Sequence, residues 1–120
     1  LVYGKQFGSP VGEQLTGLGI SPESDVILTG SFFETLDFGT GPLVAAGLID
    51  VFVARLDPDG VATWSARYGD ADVQGAGTAA VDSANNIVIV GYAAGTVDFG
   101  TGPLVGTGAE YDAFLAKLGP

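Results

Sequence analysis

The feature that most constrains the fold is an eight-residue phrase, DFGTGPLV, which occurs twice in the chain. It covers residues 37–44 and again residues 98–105, so the two copies start 61 residues apart. An identity of this length does not arise by chance in a chain of 120 residues, even one with 20 glycines. A tandem repeat is therefore the first expectation for the architecture.

The repeat extends well beyond this phrase, and the positions that match are glycines, aromatics and apolar residues. Matching pairs at the offset of 61 are Tyr3 and Trp64, Phe7 and Tyr68, Gly30 and Gly91, and Gly47 and Gly108. One residue is inserted near Glu110, and the offset is then 62: Asp50 matches Asp112, Phe52 matches Phe114, and Ala54 matches Ala116. Such a pattern indicates a shared backbone and core rather than a shared active site.

Short strands separated by turns are predicted along the whole chain. No stretch has the i, i+3, i+4 apolar spacing of a helix over three turns. The predicted strands are residues 2–7, 15–20, 26–33, 50–56, 61–68, 75–81, 87–92 and 112–118. Four strands in about 60 residues, each bounded by turn residues, are typical of an all-β fold. One four-stranded antiparallel sheet repeated in tandem predicts a β-propeller with two blades per chain.

The blade boundaries follow from the repeat. Residues 2–7 match residues 61–68, which form the fourth strand of the unit. Residues 1–8 are thus predicted to complete a neighbouring blade, 9–69 to form the first blade, and 70–120 to form a second blade without its last strand. Propellers close with about 4–8 blades. We therefore expect either a head-to-tail homo-oligomer of three or more chains, closed by strand exchange, or a piece of a longer propeller.

Several motifs of the second unit resemble the bacterial β-propeller repeat family called SBBP. They are Trp64 with Ala66 and Gly69, then AVDSANN at 80–86, VIVGY at 88–92, GTVDFG at 95–100, and YDAFLAKL at 111–118. The first unit departs from the pattern at residues 21–25, where SPESD replaces the usual Asp-Ser-x-Gly-Asn turn. The resemblance implies a propeller in a secreted or cell-surface bacterial protein, and it implies no particular activity.

Charge and residue types exclude several classes of function. The net charge is −10, and the four cations are Lys5, Arg55, Arg67 and Lys117. Such a field repels nucleic acid and anionic membranes, so neither is expected as a partner. No apolar run approaches the roughly 20 residues of a membrane helix. Histidine and cysteine are absent, which excludes a Ser-His-Asp triad and thiolate chemistry.

Carboxylates are the remaining candidates for binding. In an antiparallel blade, the loop at residues 69–74 lies at the same end as residues 100–111. Asp70, Asp72 and Glu110 are therefore predicted to converge there, with Tyr111 as an aromatic platform. Oxygen ligands of this kind suit calcium, although no EF-hand pattern is present, and a solvated acidic rim is the open alternative.

Four other aspartates are expected to have structural roles. Asp37 and Asp98 precede glycine loops and are predicted to accept hydrogen bonds from backbone amides there. Asp50 and Asp112 occupy equivalent positions and are interpreted as caps of turns or strand ends. The equivalent aromatics Tyr3, Phe7, Trp64 and Tyr68 are interpreted as core residues.

The function predicted from the sequence is a non-enzymatic propeller scaffold. It would assemble with copies of itself, require no cofactor, and present its loops to a protein or glycan. Two alternatives remain open: a carbohydrate- or calcium-binding module of a cell surface, and an acidic hydrolase or lyase that uses two carboxylates.

Overall fold

A computed structural model describes residues 2–108 and 110–120. Within these residues the secondary structure consists of eleven β-strands, which confirms the all-β prediction. The strands are β1 Glu13–Ile20, β2 Val26–Phe32, β3 Thr35–Asp37, β4 Pro42–Val44, β5 Asp50–Leu56, β6 Ala62–Tyr68, β7 Gln74–Val81, β8 Ile87–Ala93, β9 Thr96–Asp98, β10 Pro103–Val105 and β11 Asp112–Leu118. No helix in these residues is long and apolar enough to cross a membrane.

Seven of the strands form two antiparallel sheets, one in each unit of the repeat. The first sheet has four strands in the order β1-β2-β5-β6, and the second sheet has three in the order β7-β8-β11. The register is equivalent in both: Gly30 faces Phe52 across β2 and β5, as Gly91 faces Phe114 across β8 and β11. The second sheet therefore has the same plan as the first, one strand narrower.

Each unit also carries a small hairpin that the sequence interpretation missed. β3 pairs with β4, and β9 pairs with β10; the second strand of each hairpin lies in the glycine loop that follows Asp37 or Asp98. Each strand of these hairpins has only three residues, which is too short for an alternating apolar pattern to be recognised. Each hairpin lies between the second and third strands of its sheet along the chain.

Residues 2–7 were predicted to form a strand, and within the chain they form none. The segment instead lies on the face of the first sheet, where the Phe7 ring packs against Phe38 at 4.9 Å. A strand needs a partner strand beside it, and among the described residues this segment pairs with none. Whether residues 1–8 complete a sheet concerns a second chain and stays a prediction, and Leu1 lies outside the described residues.

The two sheets pack face to face over a shared core. Val51 and Val53 of β5 are completely buried against residues of the second sheet such as Ile89 and Phe114. The alternate residues of β5 point the other way, into a second cluster beneath the β3-β4 hairpin. Successive residues of β5 thus point to opposite faces of the sheet, and both faces of the strand are buried.

The first strands of the two sheets approach each other most closely at Gly17. A Cβ atom there would lie 2.6 Å from the backbone nitrogen of Ala79 and 2.8 Å from the Cα of Thr78. Any side chain at this position would force β1 and β7 apart. Glycine therefore allows the sheets to pack backbone against backbone at this edge.

Candidate functional site

Asp70, the first predicted ligand residue, is held on three sides in the connection between β6 and β7. Its Oδ1 accepts hydrogen bonds from the Asp72 N–H (2.9 Å) and from Gln74 Nε2 (2.6 Å). Its Oδ2 accepts one from the Thr96 N–H at 2.7 Å. Gln74 is fully buried and also donates to the Ala94 carbonyl. Asp70 therefore fastens the connection between the sheets to the start of the β9-β10 hairpin.

These hydrogen bonds also shift the pKa of Asp70. Partial burial by itself raises the pKa of this carboxyl group. The hydrogen bonds from Asp72, Thr96 and Gln74 stabilise the ionised form and together outweigh burial, so the pKa is below its ordinary value. The group is an anion at neutral pH, and its oxygens are already engaged by the chain itself.

Asp72 lies beside Asp70, and the two carboxylates meet over Gly95. A Cβ atom on Gly95 would lie 2.6 Å from Asp72 Oδ2 and 2.8 Å from Asp70 Oδ2. Gly95 also has a positive φ of 85°, which disfavours other residues. Asp72 is exposed, whereas Asp70 is half-buried.

Glu110 and Tyr111, the other two predicted ligand residues, are exposed. Glu110 takes part in none of the contacts that the described residues make to Asp70. The Tyr111 ring packs edge-on against Tyr92, with ring centroids 5.1 Å apart. Tyr92 was missed as a neighbour of this site. The signal for it is its place near the end of β8, opposite Ala113 of β11.

The part of the chain described by the structure contains no group of three or more acidic, histidine or cysteine side chains that could hold a metal ion. Asp70 explains part of this finding, because its oxygens are directed at amide hydrogens rather than at an open space.

Asp37 and Asp98 have the structural role predicted for them. Asp37 Oδ1 accepts hydrogen bonds from the Gly39 and Gly41 amides at 2.7 and 3.2 Å. Asp98 repeats this arrangement with Gly100 and Gly102 at the same two distances. Both residues therefore fix the glycine turns of their hairpins.

Asp50 and Asp112 cap equivalent loops but have different surroundings. Asp50 is completely buried, and its Oδ2 accepts hydrogen bonds from the Ala46 amide (2.8 Å) and from Arg67 (2.9 Å). Asp112 accepts from the amide and hydroxyl of Thr107. The difference arises because β6 brings Arg67 to Asp50, whereas β11 has no fourth strand beside it.

An open cavity of about 450 Å³ was not anticipated from the sequence. It lies on the face of the first sheet that points away from the second sheet. Its walls are mostly apolar and come from the sheet and from the N-terminal segment, including Tyr3, Phe7, Leu15, Leu28, Phe38 and Phe52. Tyr3 at its rim is exposed, as is its equivalent Trp64, so the prediction of core packing fails for this pair.

The comparisons with known proteins agree with a repeat protein. No family model matches the chain. It is similar to a WD-repeat protein. This relative is an uncharacterised WD repeat-containing protein of Acanthamoeba polyphaga mimivirus, 29% identical over 85 residues. The match covers 62% of this chain and only 6% of the relative. WD repeats form four-stranded propeller blades, so the similarity supports a propeller-type repeat and leaves the SBBP type without support of its own.

Proposed function

We propose that the chain is a non-enzymatic β-propeller scaffold whose two sheets are successive blades of a closed ring. The remaining blades come from further copies of the chain, and the loops at one end present a surface to a protein or glycan. The assembly and the partner surface are separate parts of the proposal, and each has its own support.

The packing of the N-terminal segment carries the assembly part. Between the sheets, the Tyr68 ring packs on Phe99 at 4.7 Å, and Phe99 packs on Phe114 at 5.1 Å. On the first sheet, Phe7 packs on Phe38 at 4.9 Å, and Phe38 packs on Phe52 at 5.2 Å. These are the same three positions of the repeat.

The N-terminal segment therefore packs on the first sheet in the same way as β6 packs on the second sheet. This is the relation that the last strand of a preceding blade has to the next blade in a propeller. A ring in which every blade repeats this relation closes and leaves only short, protected sheet edges. Three copies would supply six blades, and four would supply eight.

The partner surface comprises Asp72, Glu110 and Tyr111, with Asp70 as the residue that positions the loop beneath them. Exposed carboxylates beside an aromatic pair suit hydrogen-bonded contacts with hydroxyl or amide groups. Ring closure would present this surface several times, and avidity would then strengthen individually weak contacts. The resemblance to SBBP repeats makes a secreted or cell-surface location part of the proposal.

The hydrolase alternative has less support. Two-carboxylate hydrolysis needs one carboxyl group that stays protonated to act as an acid. Hydrogen bonding shifts Asp70 in the opposite direction. A role for this group as the protonated acid would therefore require the site to lose the contacts that hold its loop.

Light scattering on the 120-residue chain and on residues 9–120 tests the assembly. We expect the full chain to have the mass of three or more copies and the truncated chain to be a folded monomer by circular dichroism. Lys5→Ala, which keeps the segment, serves as the matched control and should still assemble. A full chain that is monomeric at all concentrations would contradict the proposal.

A further inference from the structure

We infer that the outer face of the second sheet docks on the outer face of the first sheet of another copy, in one fixed register. This inference rests on the proposed assembly and specifies its contacts. The second-sheet outer face consists of Val88, Val90, Ala113 and Leu115. The first-sheet outer face consists of Leu15, Leu18, Val26, Leu28 and Phe52.

The chain already contains one complete example of this interface. Ile27, Thr29, Val51 and Val53 of the first sheet are fully buried where the two sheets meet. Across from them, the second sheet contributes Ala76, Ala79, Ile87, Ile89 and Phe114, also buried. Each member of both sets has an equivalent at the offset of 61 or 62 residues.

Those equivalents are the residues of the two outer faces. Val88, Val90, Ala113 and Leu115 repeat the contribution of the first sheet, and Leu15, Leu18, Val26, Leu28 and Phe52 repeat that of the second. Leu115 is 67% exposed where Val53 is 0% exposed, and Leu15 is 58% exposed where Ala76 is 4% exposed. Each outer face is therefore one half of an interface whose other half lies at the opposite side of the same molecule.

Two such halves on one chain call for head-to-tail contact. Because the two faces differ, a two-fold dimer would pair like with like and would leave both interfaces incomplete. A heterologous contact joins unlike faces and forms a ring when its rotation closes. The occupant that fits the cavity on the first sheet is thus the second sheet of another copy.

The edge of β11 fixes the register of the N-terminal segment. Within the first sheet, Val53 of β5 lies opposite Ala66 of β6, and Arg55 lies opposite Trp64. The equivalent pairs between copies follow from the repeat. Leu115 of one copy would lie opposite Lys5 of the next copy, and Lys117 would lie opposite Tyr3. Antiparallel neighbours of this kind lie about 4.5–5.5 Å apart between Cα atoms.

Polar groups at the same seam are also matched. Gln6 stands at the position of Arg67, so its amide would reach Asp112 as Arg67 reaches Asp50. The backbone N–H of Gln74 donates to the Ile49 carbonyl at 2.8 Å where the sheets join. The repeat assigns the equivalent hydrogen bond to the backbone N–H of Glu13 in one copy and the carbonyl of Tyr111 in another copy. Tyr111 would then lie at the junction between copies as well as beside the loop surface.

One position indicates that the interface between copies differs from the interface within the chain. Within the chain, a Cβ atom on Gly17 would lie 2.6 Å from the backbone nitrogen of Ala79. Thr78, which has a Cβ atom, is the residue equivalent to Gly17 in the interface between copies. The Thr78 side chain therefore holds the first strands of adjoining copies further apart than β1 and β7 are within one chain. Thr78→Gly should tighten the association about fivefold or more, because it removes this overpacking.

Cysteine cross-linking tests the register, since the chain contains no cysteine of its own. Lys5→Cys and Leu115→Cys are made in separate chains, which are mixed and oxidised. Directly opposed residues satisfy the Cα separation that a disulfide needs. We expect a covalent dimer from the mixture and none from either chain alone. Val105→Cys, equally exposed but in the β9-β10 hairpin, replaces Leu115→Cys in the control and should give no dimer.

The outcomes separate this inference from the proposed function. A multimer by light scattering without the Lys5–Leu115 cross-link would leave assembly standing and overturn the interface. Efficient linkage of either variant to itself would indicate a two-fold dimer and would overturn it too. Monomers at every concentration would overturn both. A weaker association of Thr78→Gly would contradict the predicted difference at the first strands.

Discussion

The two sheets are built from the same repeat, yet their third strands lie in different environments. In the first sheet, β5 lies between β2 and β6 and is buried on both faces. In the second sheet, β11 forms an edge, and Ala113, Leu115 and Lys117 are exposed. The residue types are comparable, so the difference lies in the neighbours. Burial in this molecule is a property of the position in the stack rather than of the residue.

The comparison also explains why the two ends of the molecule look unlike each other. The first sheet exposes a concave apolar cavity, and the second exposes a row of small and medium apolar side chains. In solution both surfaces favour burial by another sheet. The following substitutions test whether the two sheets differ only in what covers them.

The largest effect is expected at the ion pair that β6 adds to the first sheet. Arg67→Ala would leave Asp50 buried without its cationic partner. Breaking such a pair costs about 3 kcal/mol of unfolding free energy, which urea denaturation measures. Asp112→Asn in the second sheet should cost much less, because no arginine faces it there. Equal losses would show that the fourth strand does not make the difference.

A second test uses the equivalent glycines Gly30 and Gly91. A Cβ atom on either would collide with a carbonyl oxygen of the neighbouring first strand, that of Gln14 or of Gly75. Each change to alanine should destabilise the chain by about 1–3 kcal/mol. Gly4→Ala, where a Cβ meets nothing within 4 Å, is the control. Markedly unequal costs of Gly30→Ala and Gly91→Ala would break the equivalence of the sheets.

A third test compares Val53→Ala with Leu115→Ala. At low protein concentration, Val53→Ala should cost about 2 kcal/mol, since it opens a cavity in the core. Leu115→Ala should change the stability by less than about 0.5 kcal/mol, because the side chain is exposed. At concentrations that allow assembly, Leu115→Ala should weaken association. Thermal denaturation at two concentrations measures both, and a loss from Leu115→Ala in the monomer would contradict its exposure.

The smallest effect concerns pH. Asp70 has a pKa below its ordinary value in the folded chain. Its contribution to stability is therefore present above an ordinary carboxyl pKa of about 4 and is lost as the pH falls through the folded pKa. Asp70→Asn should flatten the dependence of stability on pH below about 4 and leave its shape above pH 6 unchanged. An unchanged acid limb would show that these hydrogen bonds do not favour the ionised group.

The repeated parts of this fold can be predicted well from the sequence, because equivalent positions of the two units adopt the same structure. The turns at residues 21–25 and 82–86 illustrate this, although their sequences differ. Both have the same two backbone hydrogen bonds, and both place a positive φ at equivalent residues, Ser24 and Asn85. Each turn also forms an ion pair with the third strand of its sheet: Arg55 binds Asp25, and Lys117 binds Asp82. The two cations are equivalent in the repeat, but Asp25 is the last residue of its turn and Asp82 is the first.

What depends on single contacts could not be predicted. Residues 2–7 have the alternation of a strand, but pairing depends on a partner strand, and among the described residues the segment has none. The predicted meeting of Asp70 with Asp72 follows from loop lengths alone. Asp70 accepts hydrogen bonds from Gln74 and Thr96. These bonds depend on the directions of side chains, which residue spacing does not specify. The cavity on the first sheet is likewise a consequence of tertiary packing.

The central claim is that the two outer faces are each other's partners in a closed ring. Sedimentation velocity over a wide range of concentration tests it most directly. The account predicts a shift from the 12.1 kDa chain to one larger species of three or more copies, with no growth beyond it. A single monomeric species throughout, or steady growth without a limit, would contradict it.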